Sequence, residues 1–401
     1  MKKFCLTVLA LTTALSFAGC KDTQTPQETT PPVSEPTVTV APTEPTVNPD
    51  VVPVYENMYS VALPVTVEEF HAEDNTLICT YAYQTISPVL QDREVADKII
   101  TDFTDRVEKT RVNSQEIVNL ANSQYTPGSD FTPLSYEIQY DVKRLDQGVL
   151  SLFGHIIQTS TASGANHSLI AANYDLVTGD VLTVGSILYH IDTKDDLAQL
   201  VVDQLKERDD IILFDEYADT VKARFEQDES TDEDFYFSDA GLCFYFAPYE
   251  IAPRSSGTVI VEIPYNKLTG IIADAYFPAE RTRTVGSVSC EIFQESHWDE
   301  YEQFTDVVAK ADSTKLLLTT DSAVQDIRIY ELVLPNDKLM QTQSKNIFAT
   351  NFLSGENGII LEAEFNAASP NYMISYSVNG EAKSFCFTVD TATGNISLVA
   401  Q

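Results

Sequence analysis

Basic residues are scarce in this chain: 25 Lys and Arg stand against 60 Asp and Glu, a formal net charge of −35 over 401 residues. Phosphate backbones are held by clustered Lys and Arg, so nucleic acid is excluded as a partner. An acidic surface of this kind either keeps a protein in solution or attracts a cationic partner. Histidine is rarer still. His71, His155, His167, His190 and His297 are scattered without the spacing of metal ligands. The chain also lacks a Gly-x-Ser-x-Gly elbow, a His-Glu-x-x-His pair and a phosphate-cradling Gly-rich loop. Carboxylates are so abundant that no pair stands out as acid and base. The acidic run Asp228 to Asp234 lacks the glycine and terminal glutamate of a calcium loop and reads as a solvated loop. These absences predict no catalytic residue, no cofactor and no metal.

Cysteine is sparse as well. Beyond Cys5 and Cys20, only Cys79, Cys243, Cys290 and Cys386 remain, each inside an apolar, strand-like run. Four cysteines permit three pairings. Burial as small hydrophobes is the favoured reading, since free Cys packs that way.

One continuous apolar run exists, Phe4 to Ala18, behind the cationic Met1-Lys2-Lys3. It is too short to span a bilayer and has the layout of a signal peptide, residues 1-19. Its end, Phe17-Ala18-Gly19-Cys20, resembles the lipobox of bacterial lipoproteins. That resemblance implies cleavage before Cys20, lipidation of its sulfur and an extracytoplasmic protein anchored to the cell membrane. Residues 20-56 are rich in Thr, Pro, Val and Glu. Such a segment buries too little to offset its ordering entropy. Extended at about 3.1 Å per residue, it would reach roughly 100 Å from the membrane.

The chain is rich in Tyr (19) and Phe (20), nearly all beyond residue 56, which favours strands. Alternation predicts strands over Tyr59–Phe70, Asn75–Ser87, Leu134–Asp141, Val149–Thr159, Ile170–Leu176 and Val181–Val184, the last two a hairpin around Val177-Thr178-Gly179-Asp180. Val95, Ile99, Ile100, Phe103 and Val107 recur at helical spacing within Asp92–Gln124, and Leu197, Leu200, Val201 and Leu205 within Lys194–Lys206. A further acidic helix is expected over Glu216–Gln227, then strands Phe235–Phe237, Leu242–Phe246 and Gly257–Ile263. After the polar passage Ala279–Gly286 come seven short strands separated by turns, the pattern of a small β-sandwich. His297-Trp298 reads as a helix start carrying a core Trp.

Two stretches resemble a known family. Ser163-Gly164-Ala165-Asn166-His167 followed by Asn173-Tyr174-Asp175-Leu176-Val177-Thr178-Gly179-Asp180-Val181-Leu182 resembles the domain shared by RsiV and the peptidoglycan deacetylase PdaC. Phe244-Tyr245-Phe246-Ala247-Pro248-Tyr249-Glu250-Ile251-Ala252-Pro253-Arg254, with Val261-Glu262-Ile263-Pro264-Tyr265, resembles the companion RsiV-type domain. Arg254 stands where that pattern carries Tyr, and Asn166 where it carries Ala. The resemblance spans about Tyr59 to Phe277. It implies an α+β fold with helices packed on an antiparallel sheet, divided as 57-190 and 191-278, followed by a small all-β sandwich-like domain at 287-401. It also implies binding of lysozyme, or of another cationic extracellular protein, by the outer surface.

Tyr249, Glu250, Arg254 and His167 are the candidate binding residues; Tyr and Arg are the types enriched at interfaces. Three functions stay open: a non-enzymatic surface binding protein, a peptidoglycan-binding accessory of wall modification, and an enzyme of unrecognised type. Replacing Cys20 tests the anchor. Cys20→Ser is expected to abolish metabolic incorporation of labelled palmitate and move the protein from the membrane fraction to the soluble one; retained label would rule out this lipidation site.

Overall fold

The computed structural model describes residues 59–160, 164–226, 234–278, 284, 286–293, 301, 304–332 and 344–400. Residues 1-19, the linker 20-56 with Cys20, most of the acidic run 228–234, and His297-Trp298 lie outside them. Along the described chain run β1 (Ser60–Ala62), β2 (Val65–His71), β3 (Leu77–Gln84), β4 (Ser87–Val89), α1 (Arg93–Gln124), β5 (Leu134–Leu145), β6 (Val149–Ser160), β7 (Gly164–Asp175), α2 (Val184–Ile187), α3 (Lys194–Lys206), α4 (Tyr217–Glu226), β8 (Phe235–Phe237), β9 (Gly241–Phe246) and β10 (Val259–Pro264). Then follow β11 (Val288–Ile292), β12 (Thr305–Val308), β13 (Thr314–Thr320), β14 (Val324–Leu332), β15 (Ser344–Leu353), β16 (Ile359–Ala363), β17 (Tyr372–Val378), β18 (Glu381–Asp390) and β19 (Asn395–Ala400). The fold is mixed and rich in strand, with no described helix long and apolar enough to cross a membrane.

The strands form four sheets, of order β2-β3-β5-β6-β7, β10-β9-β8, β11-β13-β16-β12 and β19-β18-β17-β14-β15-β1-β4. The first is not purely antiparallel, contrary to expectation, because β3 and β5 run parallel from Cys79↔Leu134 to Tyr83↔Ile138. Parallel neighbours need a long crossover, and α1 supplies it. Asp92 caps α1 by accepting from the Glu94 and Val95 amides, and Val95, Ile99, Phe103, Val107, Ile117 and Ala121 bury one stripe against the sheet.

Two expected strands are split. Tyr59–Phe70 divides at Pro64, which has no N–H for a ladder, into β1 and β2. Asn75–Ser87 divides opposite it, where the Thr85 amide donates to the Pro64 carbonyl (2.9 Å). The two arms bend together. β2 and β3 pair in the five-stranded sheet, while β1 and β4 pair in the seven-stranded one. The chain's first described strand therefore sits beside β15, nearly three hundred residues later, with Ser60 opposite Thr350.

The expected strand Val181–Val184 does not form. Val181 makes a single bridge to Tyr174, and Thr183 then starts α2 through a capping box with Ser186. Reciprocal side-chain caps satisfy the first helical amides, and that local gain overrides a weak strand pattern. β11 takes in the strand-like run around Cys290, whereas β12 was not expected from the sequence; β12 runs parallel to β16. The four- and seven-stranded sheets face one another across a shared core that includes Leu316, Leu318, Leu361, Ile329, Phe348, Ile374 and Phe387.

β5 joins the layers. Its Tyr136, Ile138, Tyr140 and Val142 pack toward α1. Its alternate, polar residues lie under β15: Glu137 pairs with Lys345 at 3.2 Å, each side chain only 4% exposed, and Gln139 donates to the Ser344 carbonyl. The register of β5 on β6 shifts between Val142 and Arg144, and Arg328 of β14 donates to the carbonyls of Val142 (2.9 Å) and Lys143 (3.2 Å) there. Removing one member of a buried pair strands the other charge. Lys345→Ala is expected to cost about 3–5 kcal/mol in urea unfolding. The double replacement Glu137→Gln, Lys345→Met should restore most of that loss, and a single-variant cost under about 1 kcal/mol would contradict the pairing.

Candidate functional site

The second apolar cluster gathers α3, α4 and the β8–β10 sheet around Leu197, Val201, Leu205, Phe225, Phe244, Phe246 and Ile263. β9 and β10 pair from Gly241↔Pro264 to Phe246↔Val259 and leave between them the long connection Ala247–Thr258. This connection carries three of the four candidate residues.

Its first turn is braced from α4. Arg224 grips Asp234 with two nitrogens (Nε–Oδ2 2.7 Å, Nη2–Oδ1 2.5 Å) and donates to the Tyr245 carbonyl (2.8 Å). The same guanidinium lies 4.9 Å from the Phe246 ring centroid and reaches Glu250 Oε1 at 3.1 Å. The other carboxylate oxygen of Glu250 accepts from the Ala247 amide at 2.7 Å. Glu250 is therefore committed to holding the turn. Ile251 and Ala252 are buried, and the Ile251 carbonyl accepts from the Phe214 amide (3.0 Å).

Between these anchors Tyr249 is pushed outward. It is 71% exposed and sits at φ 74°, a left-handed conformation that costs a side chain with Cβ about 1 kcal/mol or more. Its one ring contact is edge-on to Phe214, centroids 5.4 Å apart. Ile212, two residues before Phe214, is 78% exposed. Asp209, Asp210, Asp215 and Glu216 flank this apolar spot in sequence and are all exposed. Arg208 hydrogen-bonds Asp210 and holds its carboxyl below the usual carboxylate range. Arg254 opens a 3-10 turn, Arg254–Ser256, that Gly257 ends at φ 65°; it is exposed and makes no ion pair among the described residues.

His167 lies elsewhere. It is an exposed residue of the edge strand β7, opposite Ile157, and makes no hydrogen bond or ring contact among the described residues. No interaction joins it to Tyr249, Glu250 or Arg254.

The motif stretch after it holds layers together. Asn173 donates to the Phe235 carbonyl (2.8 Å) and accepts from Ser151, whose hydroxyl accepts from the Phe237 amide (2.8 Å). Asp175 accepts from the Val177 and Thr178 amides. Gly179, at φ 74°, lies so close to α1 that a Cβ would meet the Val95 carbonyl at 3.0 Å. Sequence reasoning missed Arg144, 2% exposed in its side chain. It pairs with Asp146 (2.6 Å), donates to Tyr265 Oη (2.8 Å) and the Tyr276 carbonyl (2.7 Å), and lies over the Phe237 ring. Burial pushes the Tyr265 phenol well above its usual range. The Tyr of the Val-x-Ile-Pro-Tyr motif was the available signal. Among the thiols, all four are free, and burial raises Cys79 to about 11.

The brace and the display separate by stability. Glu250→Ala is expected to cost about 1 kcal/mol in chemical unfolding, since it removes two hydrogen bonds that hold a part-buried turn. Tyr249→Gly should be neutral or stabilising by up to about 1 kcal/mol, because glycine accepts the left-handed conformation. A marked loss on Tyr249→Gly would mean that its ring is structural.

Comparison with known proteins agrees in part with the sequence resemblance. No curated protein matches this chain. A DUF3298 family structure from Bacteroides fragilis is similar over 54% of this chain and 94% of its own, at 16% identity and a TM-score of 0.37. A DUF3298 family structure from Pseudomonas aeruginosa is similar over 55% and 96%, at 15% identity and a TM-score of 0.36. Residues 180–266, from the end of the first motif through α2–α4 and the β8–β10 sheet to Tyr265, match the family described as "Protein of unknown function (DUF3298)", so this chain carries a DUF3298 domain.

Proposed function

We propose that this chain is a non-enzymatic binding lipoprotein of the cell envelope, anchored through Cys20, whose outer surface captures a cationic extracellular protein. Tyr249 carries the reading. A left-handed, exposed aromatic residue costs stability and returns little packing to its own fold. Such strain is characteristic of binding surfaces, and Tyr is an interface anchor. Ile212 and Phe214 extend the apolar spot, acidic side chains rim it, and the chain's net charge of −35 would steer a positive partner toward it. The resemblance of the Tyr249–Arg254 turn to the RsiV-type domain makes lysozyme the first partner to test. Glu250 serves this surface indirectly, by fixing the turn, and Arg254 sits on the same connection.

The test is a calorimetric titration of the whole chain, purified in detergent, with a cationic lysozyme at low and at physiological salt. Saturable binding that survives physiological salt and weakens at least about tenfold on Tyr249→Ala is expected. Binding confined to low salt and indifferent to Tyr249 would be charge attraction alone and would overturn the proposal.

A further inference from the structure

The sandwich contains a cavity remote in sequence from the Tyr249 turn. It has a volume of about 320 Å³ and is lined by Ala309, Lys310, Glu331, Glu364, Phe365, Asn366, Asn371 and Tyr372. That volume is at the lower end of the range for small-molecule sites, roughly 300–1,000 Å³, which sets the occupant's size near a single sugar ring. Two of the lining residues lie in strands, and the others sit on the segments that adjoin strand ends. Glu331 is the penultimate residue of β14 and Tyr372 begins β17, Glu364–Asn366 directly follow β16, and Ala309-Lys310 directly follow β12. The loop ends are tied down: the Ala309 and Lys310 amides donate to the Glu362 carbonyl, Leu332 donates to the Asn371 carbonyl, and Asn371 Nδ2 donates to the Glu364 carbonyl at 2.7 Å.

The polar groups that face this space are matched poorly by the protein itself. Asn371 Oδ1 is buried and has no hydrogen-bond partner among the described residues. Buried acceptors are nearly always satisfied, so an orphan beside a cavity calls for a ligand donor. The Glu331 and Glu364 carboxylates make no ion pair among the described residues, nor does the Lys310 ammonium. Tyr372 is 2% exposed, and its hydroxyl has no partner among the described residues. Burial raises the Tyr372 phenol above its usual range, and the charges of Glu331 and Glu364, which line the same cavity, raise it further. The Phe365 and Tyr372 rings meet edge-on at 5.4 Å and supply an apolar wall.

Two carboxylates and an orphan amide oxygen only accept, and they call for a ligand rich in donors and positively charged. Lys310 only donates, and it calls for a ligand oxygen. An aromatic wall suits the C–H face of a ring. We infer that this cavity binds a hydroxylated primary amine of monosaccharide size, an amino sugar, with its ammonium on Glu331 and Glu364 and a hydroxyl on Asn371 Oδ1.

The test is ligand-observed NMR titration of the whole chain with glucosamine, N-acetylglucosamine and cadaverine, the last separating a sugar source of the ammonium from a simple alkylamine. Glucosamine is expected to bind saturably. N-acetylglucosamine, which lacks the charge, should bind at least about tenfold more weakly, and cadaverine, which lacks the hydroxyls, more weakly than glucosamine. Glu364→Gln, an exposed and isosteric change, should weaken glucosamine about tenfold without altering the unfolding transition, and Asn371→Leu should weaken it too. Absence of saturable binding, equal binding of N-acetylglucosamine or cadaverine, or indifference to Glu364→Gln would overturn the assignment. Tyr249→Ala should leave glucosamine binding unchanged, so this site and the protein-binding surface stand or fall separately.

Discussion

The ion pair between Glu137 and Lys345, closed from solvent between β5 and β15, sets the terms for the rest of the architecture. Two charges are taken out of water there, a cost met only by close mutual pairing and good geometry. Around it, beside the apolar Ala349, further polar contacts cross the interface. Gln84 donates to the Asn346 carbonyl (2.7 Å), Gln139 to that of Ser344, and Arg328 to the carbonyls released by the β5 bulge. Such groups tolerate little sliding, because each has one geometry that satisfies it. The contact therefore fixes the last third of the chain against the first sheet in a single register.

The bent hairpin of β1–β4 reinforces that register covalently. Its two arms belong to one sheet on one side of Pro64 and to another sheet on the other side. A slip of β15 by one residue would turn Phe348 out of the sandwich core and draw Lys345 away from Glu137. The DUF3298 segment is held by different means. Arg144 and the Ser151–Asn173 pair reach from β5–β7 into β8 and Tyr265, through hydrogen bonds and ring contacts rather than a shared sheet. The long connection after β9 thus projects from a rigid base, which is the condition for presenting one strained side chain in a fixed place.

Within the motif residues the structure separates bracing from display. Asn173, Asp175, Glu250 and Tyr265 are engaged inside the molecule, whereas Tyr249, Arg254 and His167 face outward. A sequence pattern alone treats these alike, since a residue that holds a turn and a residue that meets a partner can be of the same type. Burial and partners divide them. His167 and Tyr249 both fall in recognisable motifs, yet the chain places His167 on β7 and Tyr249 on the connection after β9.

Local chemistry in the sequence was enough for the long elements. The helical stripe of α1, the Asp92 cap, the apolar period of α3 and the alternation of β17 depend on neighbours within a few residues, and all four are visible in one dimension. The breaks at Pro64 and the Thr183–Ser186 capping box are equally local, although weaker than the strand patterns around them. What tertiary structure alone decided is which polar faces lie inside. The alternation of β5 reads as a sheet with one wetted face, yet Glu137 and Gln139 are covered by β15. That outcome depends on Lys345, more than two hundred residues away, and no short-range pattern encodes it. The cavity beside Asn371 has the same origin: its carboxylates come from β14 and from the end of β16, which meet only when the two sheets close on a common core.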